Sequence, residues 1–402
     1  MKARDQRVSI VVAGAGPVGL LFALRLLSKP LDCPLEVRIV DANAPAIWRE
    51  DQLDPRVYAL SRESQQQLGP AWQTILAKRA SSYRRMRVWE GENAAGSASI
   101  GFDAADIGEP DLGHIVEDNL LRTALLDQLS ELDVELSFDL GIESLHLRNT
   151  AVSVEFTDGS SCEADLVVGA DGAASRVRAA AGIESLEKPY GQQAIVAHVT
   201  TEFGHRQTAF QRFLDQGPLA LLPLADGRSS IVWTNSDAAA SALLAADEQS
   251  FLAALQQASG NVLGKIRSCS KRYSFALKCA HAARYAKRGI ALIGDAAHSV
   301  HPLAGQGMNL GMRDAVVLAD TVRRAVAERE YPGDERVLKR YERAQKAHNL
   351  AMQFAFDGIN EIFSRPVPKM AATLRGIGFA MVDQLAPVKQ LLMRRALGLD
   401  RA

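Results

Sequence analysis

The stretch that decides the fold of this chain is residues 294–311, GDAAHSVHPLAGQGMNLG. An apolar run at 289–293 precedes it, and a helical pattern from Leu310 to Val322 follows it. We therefore predict a strand, a Gly-Asp turn and a loop that leads into a helix N-terminus, where free N–H groups bind anions. Asp295 is placed to bind a sugar hydroxyl, and the glycines let the backbone approach a flat ring closely. The alternative is a strand-to-helix turn that only needs flexibility.

The N-terminal segment carries a second motif of the same kind. A buried-strand pattern at 8–13 runs directly into GAGPVG at 14–19, and a helix is predicted from about Leu20 to Leu27. A second strand at 35–40 ends in Asp41, 22 positions after Gly19. This order matches the dinucleotide-binding fingerprint, in which pyrophosphate lies on the helix N-terminus and the acid binds a ribose. An acid in place of an arginine indicates an unphosphorylated ribose, as in FAD or NAD.

A third segment lies between these two motifs. Residues 165–170, DLVVGA, predict a short strand, and Asp171 and Gly172 follow it. Taken by themselves, Asp171 and Gly172 could form an ordinary turn. The spacing of Ser175 and Arg178 on a short helix after the turn indicates something more specific.

Composition bounds the class of protein. A chain of 402 residues is long enough for two or three domains, and a net charge of −1 gives no electrostatic footprint for nucleic acid. Four scattered cysteines without a CxxC pair indicate buried thiols in a reducing compartment and no metal site. Neither a signal peptide nor an apolar stretch of membrane-spanning length is visible. We therefore predict a soluble, cytoplasmic protein.

The positions of the motifs predict an α/β protein, α+β overall, with interleaved domains. A Rossmann-like cofactor domain is expected to be discontinuous, at 1–80, 112–185 and 285–345. An antiparallel-sheet substrate domain is expected from 81–111 and 186–284, and a C-terminal helical region from 346–402. Only one complete dinucleotide fold is predicted, so NAD(P)H would have to act as a transient electron donor.

The three motifs in this order resemble the single-component, FAD-dependent aromatic-ring hydroxylases. Within that class the chain is most similar to the ubiquinone-biosynthesis hydroxylases, and the resemblance covers residues 8 to about 350. The segments that carry it are DPRVYALS at 54–61, GHIVEDN at 113–119, GPLALLPL at 217–224 and the loop at 301–311. Asp118 departs from the pattern because relatives often have Asn or Arg there, so we do not assign it a phosphate contact.

The resemblance implies a monooxygenase that uses FAD and molecular oxygen and acts through a flavin hydroperoxide on a hydrophobic phenol, most simply a polyprenyl phenol. A loop against the flavin ring would do the catalytic work without an acid or base, through Pro302, Leu303, Gly305 and Gly307. The residue patterns and the resemblance together assign cofactor binding to Gly14, Gly16, Gly19, Asp41, Arg56, Asp171, Gly172, Gly294, Asp295, Gly307, Met308 and Asn309. Arg56 would contact the pyrophosphate or the flavin edge; otherwise it forms a surface ion pair.

Several interpretations stay open. The substrate could be a water-soluble phenol or aromatic acid, or the chain could be a non-catalytic flavoprotein subunit of a biosynthetic complex. His298 and His301 could supply a general base, but loop-shaping hydrogen bonds are the favoured interpretation. Five apolar or aromatic residues could line a substrate pocket or belong to the core: Tyr58, Phe210, Phe213, Leu222 and Trp233.

The C-terminal tail, Met370 to Leu399, has apolar residues at helical spacing and is basic. Such a helix can lie peripherally on the inner face of an anionic membrane or bind another biosynthetic enzyme, and it can also support a homo-oligomer. The alternative is that the tail covers the chain's own core. We expect the tail to bind a membrane or a partner protein.

Overall fold

The computed structural model describes residues 7–91, 94, 99–148, 151–299, 305–364 and 385–399. It confirms the predicted mixed fold of two large sheets with helices packed against them. The helices are α1 Pro17–Leu27, α2 Arg62–Gln67, α3 Pro70–Lys78, α4 Asp118–Leu129, α5 Arg176–Ala180, α6 Asp237–Ala245, α7 Glu248–Ser259, α8 Gln306–Ala327, α9 Glu335–Ser364 and α10 Ala386–Leu397.

The strands supply two large sheets and two small ones. Their bounds are β1 Val8–Ala13, β2 Leu35–Asp41, β3 Val57–Leu60, β4 Ser81–Tyr83, β5 Arg85–Glu90, β6 Ser99–Asp103, β7 Gly113–Glu117, β8 Val134–Phe138, β9 Ile142–Leu147, β10 Val152–Phe156, β11 Ser161–Ala164, β12 Leu166–Gly169, β13 Ser185–Thr201, β14 Thr208–Phe213, β15 Leu219–Pro223, β16 Ser229–Ser236, β17 Ile266–Cys269, β18 Tyr273–Ala282, β19 Ala286–Lys287, β20 Ile290–Leu292 and β21 His298–Ser299.

The first sheet has the strand order β19-β20-β12-β1-β2-β8. Its strands are parallel except for β19, which pairs antiparallel with β20. The central strands are almost continuous apolar runs because both faces of the sheet are buried, by helices such as α1 and α8 and by the small sheet of β9, β10 and β11, whose Val152, Val154 and Phe156 belong to the same core. The strand ends that precede the three predicted motifs therefore meet at one edge of this sheet, where ligands bind in open parallel sheets.

The second sheet has the order β21-β18-β13-β16-β15-β14-β5-β6, with β17 paired to β13. Helices α6 and α7 cover one face, where Trp233, Phe251 and Leu255 are buried together. The prediction of an antiparallel sheet is wrong at one pair, because β5 and β14 run parallel. These two strands come from distant segments of the chain, so no hairpin forces them into opposite directions.

Several predicted boundaries need correction. Helix α1 begins at Pro17 rather than Leu20, since proline is well suited to the first helical position. Helix α8 extends beyond the predicted range of Leu310 to Val322 at both ends. Helix α6 was not predicted at all. Its alanine-rich sequence, DAAASALLA, has a weak apolar periodicity, and only Ala240 is buried.

The predicted division into domains stays a prediction. The first sheet takes strands from all three ranges assigned to the cofactor domain, and most strands of the second sheet come from 85–103 and 185–282. One strand crosses the predicted boundary: His298 and Ser299 form β21 and pair with His281 and Ala280 of β18. The second sheet therefore continues directly into the loop of the decisive motif.

The described part of the C-terminal tail packs against the chain itself. On α10, Met393 and Leu397 are buried in a cluster that includes Ala104 and Leu112. Lys389 forms an ion pair with Asp106 at 3.1 Å. The covering role that sequence analysis ranked second therefore applies to this helix, whereas residues 370–384 of the predicted tail lie outside the described residues. No helix within the described ranges has the length and apolarity to span a bilayer.

Candidate functional site

A cavity of about 830 Å³ lies between the two sheets, and most of the predicted cofactor residues line it. Its wall on the side of the first sheet includes Gly14, Gly16, Asp41, Arg56, Asp171, Gly172, Gly294, Asp295, Gly305, Gly307 and Met308. Segments that are distant in sequence therefore converge on one site. Pro302 and Leu303, and also His301, lie outside the described residues.

The N-terminal motif forms a cradle at the start of α1. Gly14 has a φ of 107°, and a Cβ on it would collide with the carbonyl of Ala170. A Cβ on Gly16 would meet nothing, because it would point into open space. The N-terminus of α1 has no side-chain cap, so its first N–H groups face the cavity without a protein partner. The cradle fits a pyrophosphate.

Asp41 shapes the adjacent turn as well as lining the cavity. Its carboxylate accepts hydrogen bonds from the backbone N–H groups of Ala15 at 2.8 Å and Asn43 at 2.9 Å. Each oxygen keeps a second lone pair for a ribose hydroxyl. Gly19, in contrast, does not line the cavity, and a Cβ there would collide with the carbonyl of Gly14. The role of Gly19 is close packing of α1 on the strand turn.

Asp171 caps α5 and leaves one oxygen free. Its Oδ2 accepts the N–H groups of Arg176 at 2.7 Å and Val177 at 3.1 Å. Its Oδ1 is buried without a hydrogen-bond partner among the described residues, as expected for a group that meets a ligand. The Arg178 guanidinium donates to the carbonyls of Ala173 at 2.8 Å and Ala296 at 2.9 Å, and so connects the Asp-Gly turn to the Gly-Asp turn.

Charged groups cluster where Arg56 faces the cavity. The Arg56 guanidinium lies 5.5 Å from the ring centre of Tyr58, whose hydroxyl donates to Asp118 at 2.8 Å. Asp118 also accepts a 2.8 Å hydrogen bond from Arg122. Burial raises the pKa of Asp295, against the opposing attraction of Arg56 and His298. The Asp118 carboxylate is thus bound by Tyr58 and Arg122 of the protein. This agrees with the prediction that Asp118 makes no contact with a phosphate.

The N-terminus of α8 closes the cavity near the second sheet. Gly305 precedes the helix with a φ of 63°, a left-handed conformation that favours glycine, and Gly307 and Met308 line the cavity. Asn309 does not line it. Its side chain accepts from the Ser61 N–H at 2.9 Å and the Ser64 hydroxyl at 2.7 Å, and donates to the Ala59 carbonyl at 2.9 Å. The cofactor role predicted for Asn309 is that of its backbone N–H, and it stays a prediction, because the side chain is fully engaged by these protein groups.

A buried polar network behind the loop was missed by sequence analysis. Asp314 is fully buried on α8, and its Oδ2 accepts from the Gly294 N–H at 3.1 Å and from His298 Nε2 at 2.5 Å. Its Oδ1 accepts from Asn349 on α9 at 3.0 Å. An aspartate on the buried face of the helical pattern at 310–322 was the available signal.

This network decides between the two interpretations of His298. Burial lowers the pKa of its imidazole, but the charge and hydrogen bond of Asp314 raise it, and Asp295 adds to them, so the pKa is raised overall. The ring stacks on Tyr285 at 5.7 Å and is 2% exposed. His298 is not part of the cavity wall, so the geometry supports loop shaping rather than general base catalysis.

The opposite wall of the cavity is the open face of the second sheet. The residues that line it include Ala194, Val196, Ala209, Gln211, Ala220, Leu222, Ser230, Val232, Phe275, Leu277 and Lys278. Of the five undecided aromatic and apolar residues, Tyr58 and Leu222 line the cavity. The Phe210 side chain lies on the covered face of the sheet, opposite Leu221 and against the ring of Trp89. Phe213 and Trp233 belong to buried clusters. A flat apolar molecule could therefore lie between this floor and a ring bound at the N-terminus of α8.

Comparison with known proteins agrees with this geometry. The chain matches the model of a family described as an FAD binding domain over residues 7–355. It is 35% identical over 397 residues to ubiquinone hydroxylase UbiL of Rhodospirillum rubrum. That alignment covers 98% of this chain and 90% of the relative. It is 34% identical over 399 residues to 3-demethoxyubiquinol 3-hydroxylase of Escherichia coli. This second alignment covers 98% of this chain and 100% of the relative.

A solved structure has the same fold. The p-nitrophenol 4-monooxygenase PnpA from Pseudomonas putida superposes with a TM-score of 0.77 and covers 99% of this chain and 100% of its own. The two sequences are 19% identical, so this likeness concerns the fold alone.

Proposed function

This chain belongs to the family of FAD-dependent aromatic-ring hydroxylases that includes the ubiquinone-biosynthesis enzymes, and we propose that it hydroxylates the ring of a polyprenylated phenol on the route to ubiquinone. It is an FAD-dependent monooxygenase. The observation that carries the proposal is a single cavity that joins a dinucleotide cradle to an apolar sheet floor.

Some residues of the cavity would bind FAD, and others would exclude water. The N-terminus of α1 would bind the pyrophosphate of FAD, Asp41 its ribose and Asp295 its sugar-alcohol chain. When bound, FAD supplies the reduced ring at which oxygen is activated. The N-terminus of α8 at Gly305 and Gly307, which has no side-chain cap, would supply backbone N–H groups and a partial positive charge to stabilise negative charge on the reduced flavin. The apolar floor keeps water away from the reacting atoms.

The floor favours a neutral ring over an aromatic acid. No arginine occurs among its described residues, and the one lysine in that set, Lys278, forms an ion pair with Glu187 at 3.1 Å. A carboxylate buried against this surface would lack a charge partner, which is costly. A prenylated phenol buries only apolar surface and one or two oxygen atoms there.

The test is hydroxylation of a short-chain prenyl phenol by the FAD-loaded protein under isotopically labelled oxygen. We expect one labelled oxygen atom in the product by mass spectrometry. We also propose NADH or NADPH as a transient electron donor, and its oxidation should increase when the phenol is added. Labelled hydrogen peroxide without labelled product would reject the hydroxylase function, and hydroxylation of an aromatic acid in place of the prenyl phenol would reject the substrate class.

Helix α10 has a second face that is turned to solvent. Leu391 is 47% exposed, and Arg394 and Arg395 are exposed, whereas Met393 and Leu397 are buried. We propose that this apolar and basic face binds the surface of an anionic bilayer. Such peripheral contact would bring the cavity to a substrate that is dissolved in the membrane.

The combined change Arg394→Glu and Arg395→Glu tests the membrane contact. Each basic residue near an anionic surface contributes about 1 kcal/mol, so vesicle binding should fall roughly tenfold or more, most strongly at low salt. The same reversal at Arg324 and Arg343, which are exposed on α8 and α9, is the matched control. Equal loss in both double variants would indicate a net-charge effect and would reject this face as the membrane contact.

A further inference from the structure

We propose that Gln211 orients the substrate by a hydrogen bond between its side-chain amide and an oxygen substituent on the aromatic ring. The proposal rests on the proposed function and names the group that would select among phenols. It is carried by the place of Gln211 in the sheet, by its burial and by the lack of a protein partner for its amide.

The sheet directs Gln211 into the cavity. It lies in the middle of β14, opposite Ala220 of β15 and Val88 of β5, and it lines the cavity wall. The next residue, Arg212, points to the other face and donates to the carbonyls of Gln257 at 3.0 Å and Ala258 at 2.9 Å. Because side chains alternate along a strand, this bond fixes the direction of Gln211.

Gln211 is a buried amide in apolar surroundings. It is 7% exposed, and its neighbours on the same strand face, Ala209 and Phe213, are buried too. Its side chain makes no hydrogen bond to any group in the described part of the chain, whereas most buried polar side chains in proteins are paired. The amide atoms are not among the enclosed polar atoms that lack a partner, so they open on the cavity and are available to a ligand.

Gln211 also lies near the N-terminus of α8, where the flavin is proposed to bind. Phe213 lies two residues further along the same face and packs in one cluster with Leu310, in the first turns of α8. A ring that meets the Gln211 amide would therefore lie close to the helix N-terminus that is proposed to hold the flavin. Ser230 also belongs to this wall, but it has no exposed surface, so its hydroxyl is less accessible to a ligand than the Gln211 amide.

The amide suits a ring that carries neighbouring oxygen atoms. Its carbonyl can accept from a phenol O–H, while its NH₂ can donate to the oxygen of a methoxy group. A pocket with one such polar group among apolar residues fixes the orientation of a ligand. Among prenyl phenols, this site would therefore select one with a hydroxyl or methoxy group beside the phenol oxygen over one with a methyl group at that position.

The experiment compares two ligands in two proteins. The ligands are a short-chain prenyl methoxyphenol and its analogue with methyl in place of methoxy. Their binding to the FAD-loaded enzyme is measured from the change in the flavin absorption spectrum, and KM and kcat are measured separately. The wild type should bind the methoxy ligand about tenfold more tightly. Gln211→Met should lose that preference and raise KM more than it lowers kcat.

The control is Gln249→Met on the exposed surface of α7, which should retain the preference. Melting temperature and FAD content are measured for every variant, and Gln211→Glu serves as a second substitution if the Met variant loses FAD. Unchanged ligand preference in a folded, FAD-loaded Gln211 variant overturns this inference and leaves the proposed function standing. A wild-type protein that neither binds nor hydroxylates a prenyl phenol overturns both.

Discussion

Asp314→Asn should destabilise the protein, and the loss should be greatest at acid pH. The wild-type carboxylate holds the His298 imidazole, the Gly294 N–H and the Asn349 amide in a fully buried site. Because Asp314 raises the pKa of His298, the pair contributes fully below the unfolded pKa of about 6.5 and is lost as pH rises through the folded pKa. Asparagine keeps the shape but leaves a charged imidazole unpaired at low pH.

The expected magnitude follows from the burial of the pair. Removal of one partner of a buried ion pair costs about 3–5 kcal/mol. For a chain of 402 residues that unfolds as one unit, the entropy of unfolding is about 0.8 kcal/mol/K, so the melting temperature should fall by about 4–6 °C near pH 6. At alkaline pH the imidazole is neutral. The loss in free energy of unfolding caused by Asp314→Asn should then come only from weakened hydrogen bonds and amount to about 1–3 kcal/mol.

The assay is thermal unfolding of the FAD-free protein, followed by circular dichroism across a pH series. Asp320→Asn, an exposed position on the same helix, is the control and should change little at any pH. The double variant with His298→Gln should recover part of the acid-specific loss, because no charge is then left unpaired. A deficit that is constant with pH, or larger at alkaline pH, would refute the argument that Asp314 holds a protonated His298.

Three further outcomes are expected. Asp41→Ala should weaken FAD binding tenfold or more but leave FMN binding nearly unchanged, because FMN lacks the adenosine and its ribose; equal loss in flavin titrations would mean that Asp41 only shapes its turn. Gly14→Ala should reduce the yield of folded protein and its melting temperature far more than Gly159→Ala, since both have positive φ but only the first meets a backbone carbonyl. Met393→Ala should cost about 2–5 kcal/mol in denaturant unfolding and Leu391→Ala little, if α10 is part of the core; equal effects would contradict its docking.

The sequence by itself determined the cofactor fold and most of the residues around its site. Each of the motifs at 14–19, 171–172 and 294–311 is a local pattern in which a strand, a turn and a helix start are adjacent in the chain. Glycine positions and an acid at a strand end carry this information without knowledge of distant partners. The positions of Gly16, Asp41 and Asp295 on one cavity follow, because parallel strands present their carboxyl ends at the same sheet edge.

Only the tertiary structure decided what the remaining polar side chains do. Asn309 bonds to Ser61, 248 residues away, and Asp314 joins the loop at Gly294 and His298 to Asn349 of α9. The parallel pairing of β5 with β14 and the docking of Met393 have the same origin. Such contacts form because buried polar and apolar groups must find partners in the compact state. The identity of those partners depends on the packing of the whole chain rather than on any spacing along it.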